Sequence, residues 1–232
     1  MPWMRACLYD VHGNLPAAEA VVAYARAAGA DEWILGGDYA LFGGWPRETV
    51  EALRALSPAL WIRGNGERWT AEPGDAPDDP VVQGAIAACR AALGDALVED
   101  LGRRRVTSRI RDTLICHASP PSDIRSFLPE PAPDEAELLE GVTASRVLFG
   151  PTHLPFARRS AHRGIELVNP GSVGMPFDGD HRAAYALLHD DGRIEHRRVE
   201  YDHRASATAM RERYGDAEWA SIVARRIETA SF

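Results

Sequence analysis

The stretch Tyr9-Asp10-Val11-His12-Gly13-Asn14 places two side chains that can bind metal directly after a short apolar run, residues 6–9. An apolar run of this length followed by polar residues is typical of a buried strand and the loop that leaves it. Asn14 is a preferred helix-capping residue, so the same stretch also predicts the start of a helix. The segment therefore indicates a strand, a loop with two potential ligands and a helix in succession.

The same arrangement recurs along the chain, each time with a metal-capable side chain just after a strand-like run. The later positions are Asp38 in Gly36-Gly37-Asp38, Asn65 after Gly64, His117 after Cys116, and His153 in Gly150-Pro151-Thr152-His153. The runs before them are residues 33–35, 60–63, 113–116 and 147–149. Open α/β sheets build their sites at the carboxyl ends of neighbouring strands, so the pattern predicts one metal centre. Its candidate ligands are Asp10, His12, Asp38, Asn65, His117 and His153.

Each of these positions has an ordinary structural interpretation when it is taken singly. An Asp-x-His sequence is common by chance, Asp38 after two glycines fits a turn, and Asn65 tolerates left-handed backbone. His117 on its own fits a hydrogen-bonded histidine of the core. The occurrence of all positions in order, each after a strand-like run, favours the metal site.

The ligand types narrow the choice of metal. Carboxylate, amide oxygen and imidazole together suit borderline divalent ions such as Mn, Fe, Zn or Ni, whereas thiolates would favour zinc or iron–sulfur clusters. One or two ions are compatible with this set, and a pair of ions needs a bridging carboxylate. Asp38 lies in the sequence between the first pair of candidates and the later Asn65 and His117, so it is the natural bridge.

Taken in order, the motifs D-x-H-G-N, G-D, G-N, H and G-x-T-H resemble those of the calcineurin-like metallophosphoesterase superfamily. The sequence Asn169-Pro170-Gly171-Ser172-Val173-Gly174 resembles the small bacterial and archaeal phosphodiesterase branch of that superfamily. The resemblance runs from Met4 to about Leu188. It implies an α/β fold, a four-layer αββα sandwich of two mixed β-sheets flanked by helices.

Carried onto this chain, the resemblance assigns Asp10, His12, Asp38 and His153 to a first ion, and Asp38, Asn65 and His117 to a second. The function that it implies is that of a metal-dependent phosphoesterase, and most simply a phosphodiesterase in which a metal-bound hydroxide attacks phosphorus in line. Divalent metals supply this nucleophile because they lower the pKa of bound water from about 15.7 to about 7. No catalytic residue beyond the metal ligands is assigned, and the substrate-binding residues are left open.

Three positions depart from the pattern of the family. Pro151 stands where the family usually has a histidine that binds the second metal, and proline has no donor atom on its side chain. Gly66 replaces a histidine that assists the leaving group in many members, and Tyr9 takes a position that is usually serine. The second ion is therefore expected to bind more weakly. The alternative function is that of a degenerate relative that binds metal or a phosphorylated ligand with little or no turnover.

The remaining pattern fits a single domain over residues 1–232. Residues 70–102 predict a small helical insertion near the mouth of the site, with a loop at 70–80 and a helix at 79–93. Residues 203–232 predict two helices, at 203–214 and 216–229. The other expected elements are a helix at 46–56 and strands at 106–110, 165–168, 184–188 and 194–201.

Composition indicates an enzyme-sized globular chain. Its 232 residues are 45% hydrophobic and 26% charged, which allows a substantial core. No apolar run has the length of a membrane span and no signal-peptide pattern is present, so a cytoplasmic location without a membrane partner is expected. The formal net charge of -8 argues against general binding to nucleic-acid backbone. The expected partner is a phosphorylated small molecule or a phosphodiester, and the oligomeric state is left open.

Overall fold

The computed structural model describes residues 3–232, within which ten strands form two five-stranded sheets. The strands are β1 (Met4–Leu8), β2 (Glu32–Leu35), β3 (Ala59–Trp61), β4 (Thr107–Ile110), β5 (Thr113–Cys116), β6 (Arg146–Leu148), β7 (Phe156–Arg159), β8 (Glu166–Asn169), β9 (Ala183–His189) and β10 (Ile194–Val199). Their order is β10-β9-β1-β2-β3 in the first sheet and β4-β5-β6-β8-β7 in the second.

Both sheets are mixed, and each has three parallel strands in neighbouring positions. β1, β2 and β3 are parallel in the first sheet, and antiparallel pairing adds β9 and β10. β5, β6 and β8 are parallel in the second sheet, with β4 and β7 antiparallel at its edges. Because parallel strands point the same way, the loops that follow them leave each sheet at one end.

Successive side chains of β1, and that of Tyr9 directly after it, pack alternately into two different hydrophobic cores. Ala6 and Leu8 pack with the helices that cover the first sheet, whereas Cys7 and Tyr9 pack between the two sheets. The Tyr9 hydroxyl donates to Leu148 O of the second sheet at 3.1 Å. Burial on both faces explains the nearly continuous apolar runs of these strands, since successive side chains point to opposite faces.

The outer face of the second sheet has its own smaller core. Val147 and Phe149 pack there against Phe127 and Leu138, which belong to the segment between β5 and β6. The layers are therefore helices, sheet, sheet, and a covering segment with one short helix. This arrangement confirms the expected αββα sandwich, with most of the helical mass on the first sheet.

The helices mostly begin where the sequence places a cap or a proline. They are α1 (Leu15–Ala27), α2 (Pro46–Arg54), α3 (Asn65–Ala71), α4 (Pro80–Leu93), α5 (Asp95–Gly102), α6 (Glu135–Leu138), α7 (His203–Tyr214) and α8 (Glu218–Thr229), with a 3-10 turn at Pro73–Asp75. The Asn14 side chain accepts a hydrogen bond from Ala17 N, as expected of a helix cap. The sequence pattern does not predict α3, α6 or β7, and within the predicted helical insertion it does not predict α5 as a separate helix.

Residues 70–102 contain α4 and α5, which pack against α8 and α3 respectively. The placement of this insertion at the site mouth stays a prediction. The residues that line the cavity at the site come from other segments, including α3 and α8. No single helix of the described chain is long and apolar enough to cross a membrane. By length and composition the pair α4 and α5 reaches that threshold together, with a bend of 112° between them.

Candidate metal centre

The loops that follow β1, β2 and β6 hold candidate ligands in strained backbone. Asp10, His12, Asp38 and His153 have φ angles of 52°, 47°, 56° and 58°. Residues other than glycine rarely adopt this left-handed conformation, which costs about 1–3 kcal/mol per residue. Backbone hydrogen bonds fix it, because His12 N donates to Asp38 O at 2.8 Å and Asp10 N donates to Gly37 O at 3.1 Å. The chain thus maintains strain at positions that the sequence predicts as ligands.

His12 and His153 face each other through nitrogens that carry no hydrogen. Nδ1 of His12 donates to Leu41 O at 2.8 Å, and Nδ1 of His153 donates to Met175 O at 2.5 Å. The two Nε2 atoms are therefore acceptors, and they lie 3.2 Å apart. Burial lowers the pKa of both imidazoles, that of His153 well below its usual value, which favours the neutral form of both rings. Two acceptor nitrogens at this distance repel each other unless a cation lies between them.

Asp10 is a fully buried carboxylate, and neither of its oxygens has a hydrogen-bond partner among the described residues. Its Oδ1 lies 3.8 Å from His153 Nε2 and 3.9 Å from His117 Nε2. Burial raises the pKa of Asp10 well above its usual range, and the charge of Asp38 adds to this effect. A carboxylate in such surroundings is stable as an anion only beside a cation, which is what a metal site provides.

His117, Asn65 and Asp38 form the other side of the centre. Nδ1 of His117 donates to Gly36 O at 2.8 Å, and its Nε2 lies 3.0 Å from Asn65 Oδ1 and 3.5 Å from Asp38 Oδ1. Burial acts to lower the pKa of His117, but the carboxylates of Asp38 and Asp10 outweigh burial and raise it. Asp38 also reaches the first side, where its Oδ2 lies 3.9 Å from His12 Nε2.

The structure thus brings all candidate ligands together, with one difference from the assignment that the resemblance implies. The side chains that can hold an ion form two groups, in each of which the ligand atoms lie within 4.8 Å of one another: Asp10, His12 and His153, and Asp10, Asp38 and His117. Asp10, which the resemblance gives to the first ion, lies beside the second group as well. Both Asp10 and Asp38 therefore lie between the two groups of imidazoles.

Glu67, which the sequence pattern does not single out, holds the loops of Asp38 and Asn65 in place. Its Oε2 accepts hydrogen bonds from Asp38 N and Gly64 N, and its Oε1 accepts one from Tyr39 N, all at 2.8 Å. Burial and the charge of Asp38 raise the pKa of Glu67 to about 7. A glutamate at the third position of a helix is half of a capping-box signature, which is the sequence signal that points to it.

The motif at residues 169–174 supports the loops that carry Asp10 and His153. Ser172 Oγ donates to Asp10 O at 2.7 Å. Asn169 Nδ2 donates to Gly150 O at 2.8 Å and to Thr152 Oγ1 at 2.9 Å, which orders the loop that leads to His153. Ser172 thus acts on the backbone of a candidate ligand, whereas Asn169 acts on the residues that precede His153.

The two departures that bear on the chemistry, Pro151 and Gly66, lie at the centre itself. Pro151 lines the same cavity as His12 and Asp38, where it offers no donor atom. Gly66 N donates to Asp38 Oδ1 at 2.7 Å, and a Cβ at position 66 would lie 2.8 Å from the same oxygen. A side chain at position 66 therefore requires Asp38 to move.

The centre is buried but accessible from two cavities. One of about 410 Å³ is lined in part by His12, Asp38, Asn65 and His153. The other, of about 310 Å³, lies against His117. Carboxylate, imidazole and amide donors with an orphaned buried carboxylate fit divalent transition ions. A site of this kind can activate water and polarise a phosphoryl group that enters from a cavity.

Comparison with known proteins points to one family. The model of the calcineurin-like phosphoesterase superfamily domain matches residues 5–193, which include every candidate ligand. The uncharacterized protein MJ0912 of Methanocaldococcus jannaschii is 28% identical over 227 residues, with 86% of this chain and 88% of that protein covered.

Two solved structures share the fold over nearly the whole chain. The metallophosphoesterase from Sphaerobacter thermophilus has a TM-score of 0.83 and 27% identity, covering 99% of this chain and 100% of that chain. The hypothetical protein PH1004 from Pyrococcus horikoshii OT3 has a TM-score of 0.80 and 20% identity, covering 95% and 97% of the two chains. The two-sheet fold, the grouped ligands and the family match agree, and the chain belongs to the calcineurin-like phosphoesterase superfamily.

Proposed function

We propose that this protein is a metal-dependent phosphodiesterase. The observation that carries the proposal is the pair of acceptor nitrogens of His12 and His153, 3.2 Å apart, beside the unpartnered carboxylate of Asp10. This arrangement is stable with a cation bound, and it adjoins a cavity. The proposed ligands are Asp10, His12, Asp38 and His153 for the first ion and Asp38, Asn65 and His117 for the second, with Asp10 close to both.

The chain's own residues keep the ligands ready for an ion and for substrate. When bound, the ions supply an activated water and stabilise charge on the phosphoryl oxygens. The carbonyls of Leu41, Gly36 and Met175 hold the imidazoles in the tautomer that presents Nε2. Gly66 provides no imidazole for the leaving oxygen, so substrates whose leaving group is weakly basic are favoured. Aryl phosphodiesters meet that requirement.

Among the ions that suit these donors, Mn is the one that we propose for activity, because its preference for oxygen ligands fits the carboxylates and the amide. The partner that we propose is a phosphodiester or another phosphorylated small molecule. A cytoplasmic location, without membrane association or general affinity for nucleic acid, stays a prediction from composition.

A second function, binding of metal or a phosphorylated ligand with little turnover, is favoured by Pro151. Proline removes a donor from the second group of ligands, so the second ion is held less firmly. Three protein ligands and a water are nevertheless the ordinary arrangement of catalytic zinc. Asp38, Asn65 and His117 provide that number, and we therefore place catalysis ahead of simple binding.

Metal content per chain, measured together with hydrolysis of bis(p-nitrophenyl) phosphate in the presence of Mn, tests the proposal. We expect bound metal, hydrolysis of the diester and poor hydrolysis of alkyl monoesters. Asp38→Ala should remove both ions, whereas Asp216→Ala, on the exposed surface, should remove neither. Absence of metal after reconstitution with Mn or Zn would contradict the proposal. A preference for ordinary monoesters argues against a phosphodiesterase, and metal without turnover favours the second function.

A further inference from the structure

The cavity over the metal centre is lined by two chemically different kinds of residue. Its lining includes candidate ligands and also the aromatic residues Phe42, Trp69, Phe177 and Phe232, the last of them 86% exposed, together with Arg226 of α8. Its volume of about 410 Å³ lies within the usual range of small-molecule sites, about 300–1,000 Å³. A ligand that fills the cavity would contact both the metal ligands and these four aromatic residues, which together form an aromatic wall.

The aromatic wall is continuous with the metal centre. Phe177 stacks on the ring of His153, with centroids 4.3 Å apart and an interplanar angle of 9°. Phe232 packs edge-on against Phe177 at 5.5 Å and 83°. His153 covers one face of Phe177 and Arg226 lies over one face of Phe232, so a flat group in the cavity would meet the remaining faces or edges of these rings. Aromatic pairs favour both of these contact geometries.

Arg226 is a half-buried cation without an anionic partner among the described residues. Its guanidinium lies over Phe232, 4.1 Å from the ring centroid, and 6.0 Å from that of Phe177. By contrast, Arg211 on the neighbouring helix α7 is paired bidentately with Glu228, at 2.6 and 2.7 Å. Arg226 lines the same cavity as the metal ligands His12 and His153, so its charge faces the space that a phosphoryl group would enter. Arg226 is therefore able to pair with an anionic group that a substrate brings into the cavity.

We propose that this cavity selects phosphoesters whose substituent is a flat aromatic ring, with the ring against Phe177 and Phe232 and an oxygen of the phosphoryl group on Arg226. The inference rests on the proposed function, which places phosphorus at the metal ligands. Arginine is suited to the second contact because its planar guanidinium donates two parallel hydrogen bonds to phosphate oxygens. The rings are suited to the first because they present flat, apolar faces.

Equilibrium binding of two phosphonates to the Mn-loaded protein separates ring recognition from leaving-group chemistry. Phenylphosphonate and cyclohexylphosphonate both have a carbon–phosphorus bond that hydrolysis does not break, and they differ mainly in the flatness of the ring. Aromatic contacts contribute about 0.5–1.5 kcal/mol beyond area, so we expect calorimetry to show phenylphosphonate binding about 2- to 10-fold more tightly. Phe232→Leu, which keeps the apolar character of the side chain, should reduce this preference.

Arg226→Gln should lower the binding affinity for both phosphonates by about 10- to 100-fold, since hydrogen bonds to charged groups are worth about 1.5–3 kcal/mol. Arg225→Gln is the matched control, because it removes the same charge from the next residue, which is exposed. We expect its affinities to equal those of the parent.

Equal affinity of the two phosphonates for the parent protein would overturn ring selection. Equal effects of Arg226→Gln and Arg225→Gln would overturn the role of Arg226. Diester hydrolysis by the parent is measured in parallel, so the two proposals fail separately. Binding that prefers the aromatic ring and depends on Arg226, without hydrolysis, supports this inference and contradicts the proposed catalysis. Hydrolysis of the diester without a preference for the ring supports the proposed catalysis and contradicts this inference.

Discussion

Asp10 is a residue at which the needs of stability and of function oppose each other. Its carboxylate is fully buried and has no hydrogen-bond partner among the described residues, and its backbone is left-handed. In the metal-free protein these features only destabilise the fold. They become useful when an ion binds, because the free oxygens are then ligands. Stored destabilisation of this kind is common at functional sites.

Asp10→Asn should therefore stabilise the metal-free protein while it weakens metal binding. The pKa of Asp10 in the folded state is raised by burial, so the presence of this carboxyl destabilises the fold increasingly as pH rises from about 4 through the folded-state pKa. We expect the variant to exceed the parent by about 1–3 kcal/mol in free energy of unfolding at pH 8, and by much less at pH 5. Urea unfolding in EDTA measures this. Exposed Asp216→Asn is the control, and a less stable Asp10→Asn protein at pH 8 would contradict the account.

Pro151 is the position at which one substitution should strengthen the second site. It lines the cavity beside Asp38 and Asn65, and it stands where the family resemblance expects a histidine donor. Pro151→His should raise the affinity for the second ion by about 10- to 100-fold, the range that even indirect partners of a metal contribute. Proline also fixes φ near -65° and removes an N–H, so Pro151→Ala controls for the backbone. Equal second-site affinity in the His and Ala variants would show that this side chain does not face the metal.

The positions of the candidate ligands can be predicted from local sequence because each lies within five residues after the end of a strand. The residues that support them are less predictable. Glu67 contacts the Asp38 backbone from 29 positions away, and Arg226 comes from another part of the chain altogether. Such contacts depend on how helices pack against the sheets. No local pattern of charge or spacing marks Arg226 as different from its exposed neighbour Arg225.

Among the elements, those with strong apolar runs are predicted well and those with mixed character are not. β5 has the expected bounds because its apolar run and the turn before it agree, and α7 has them because Asp202 caps its start and Gly215 follows its end. β7, with the sequence Phe-Ala-Arg-Arg, lies at the edge of its sheet, where an exposed arginine such as Arg159 is compatible with a strand. α3 begins at Asn65 directly after the glycine that ends the β3 loop, and its sequence resembles a turn. In both elements tertiary pairing outweighs local propensity.

α3 is the element through which Glu67 orders the centre, and Glu67→Gln tests this role. The carboxylate accepts three backbone hydrogen bonds on two oxygens, whereas an amide has one acceptor oxygen and would direct its NH₂ at an N–H donor. We expect a loss of about 1–3 kcal/mol in free energy of unfolding. Metal affinity should fall by about 10- to 100-fold because Asp38 loses its support.

Two controls make the Glu67 result specific. Glu72→Gln, exposed at the other end of α3, should leave both stability and metal affinity unchanged. Glu67→Asp keeps the charge but shortens the side chain, so it should fall between the parent and Glu67→Gln. Calorimetric titration with Mn and urea unfolding give the two readouts. Parent-like metal affinity in Glu67→Gln would mean that Asp38 is held by other contacts.

For the molecule as a whole, the metal centre lies where the two sheets meet and takes ligands from both. Asp10 and Asp38 follow strands of the first sheet, whereas His117 and His153 follow strands of the second. Between the sheets lies an apolar core that includes Tyr9, Ile115 and Val168. An ion bound by residues from both sheets would connect them at the end of this core. Metal binding should therefore stabilise the entire fold and not one loop.

This stabilisation should increase with pH, because binding displaces protons from Asp10 and His117. Burial raises the pKa of Asp10, and the carboxylates raise that of His117 against the effect of burial. In the metal-free protein both groups lose their contribution to stability as pH rises through those folded-state pKa values, whereas a bound ion stabilises both deprotonated forms. Burial lowers the pKa of His12 and of His153, so these two residues contribute less to proton release than histidines of ordinary pKa.

Thermal unfolding with Mn and with EDTA at pH 5.5, 6.5 and 7.5 measures the effect. Free metal at about 100 times its dissociation constant adds about 2.7 kcal/mol, and about 2–4 °C per kcal/mol is typical of chains of this size. We therefore expect the difference in Tm to reach about 5–10 °C at pH 7.5 and to shrink as pH falls. Asp10→Asn should show little difference at any pH. A metal-dependent shift that stays constant or grows towards pH 5.5 would mean that binding releases no protons, and Asp10 and His117 would then not be ligands.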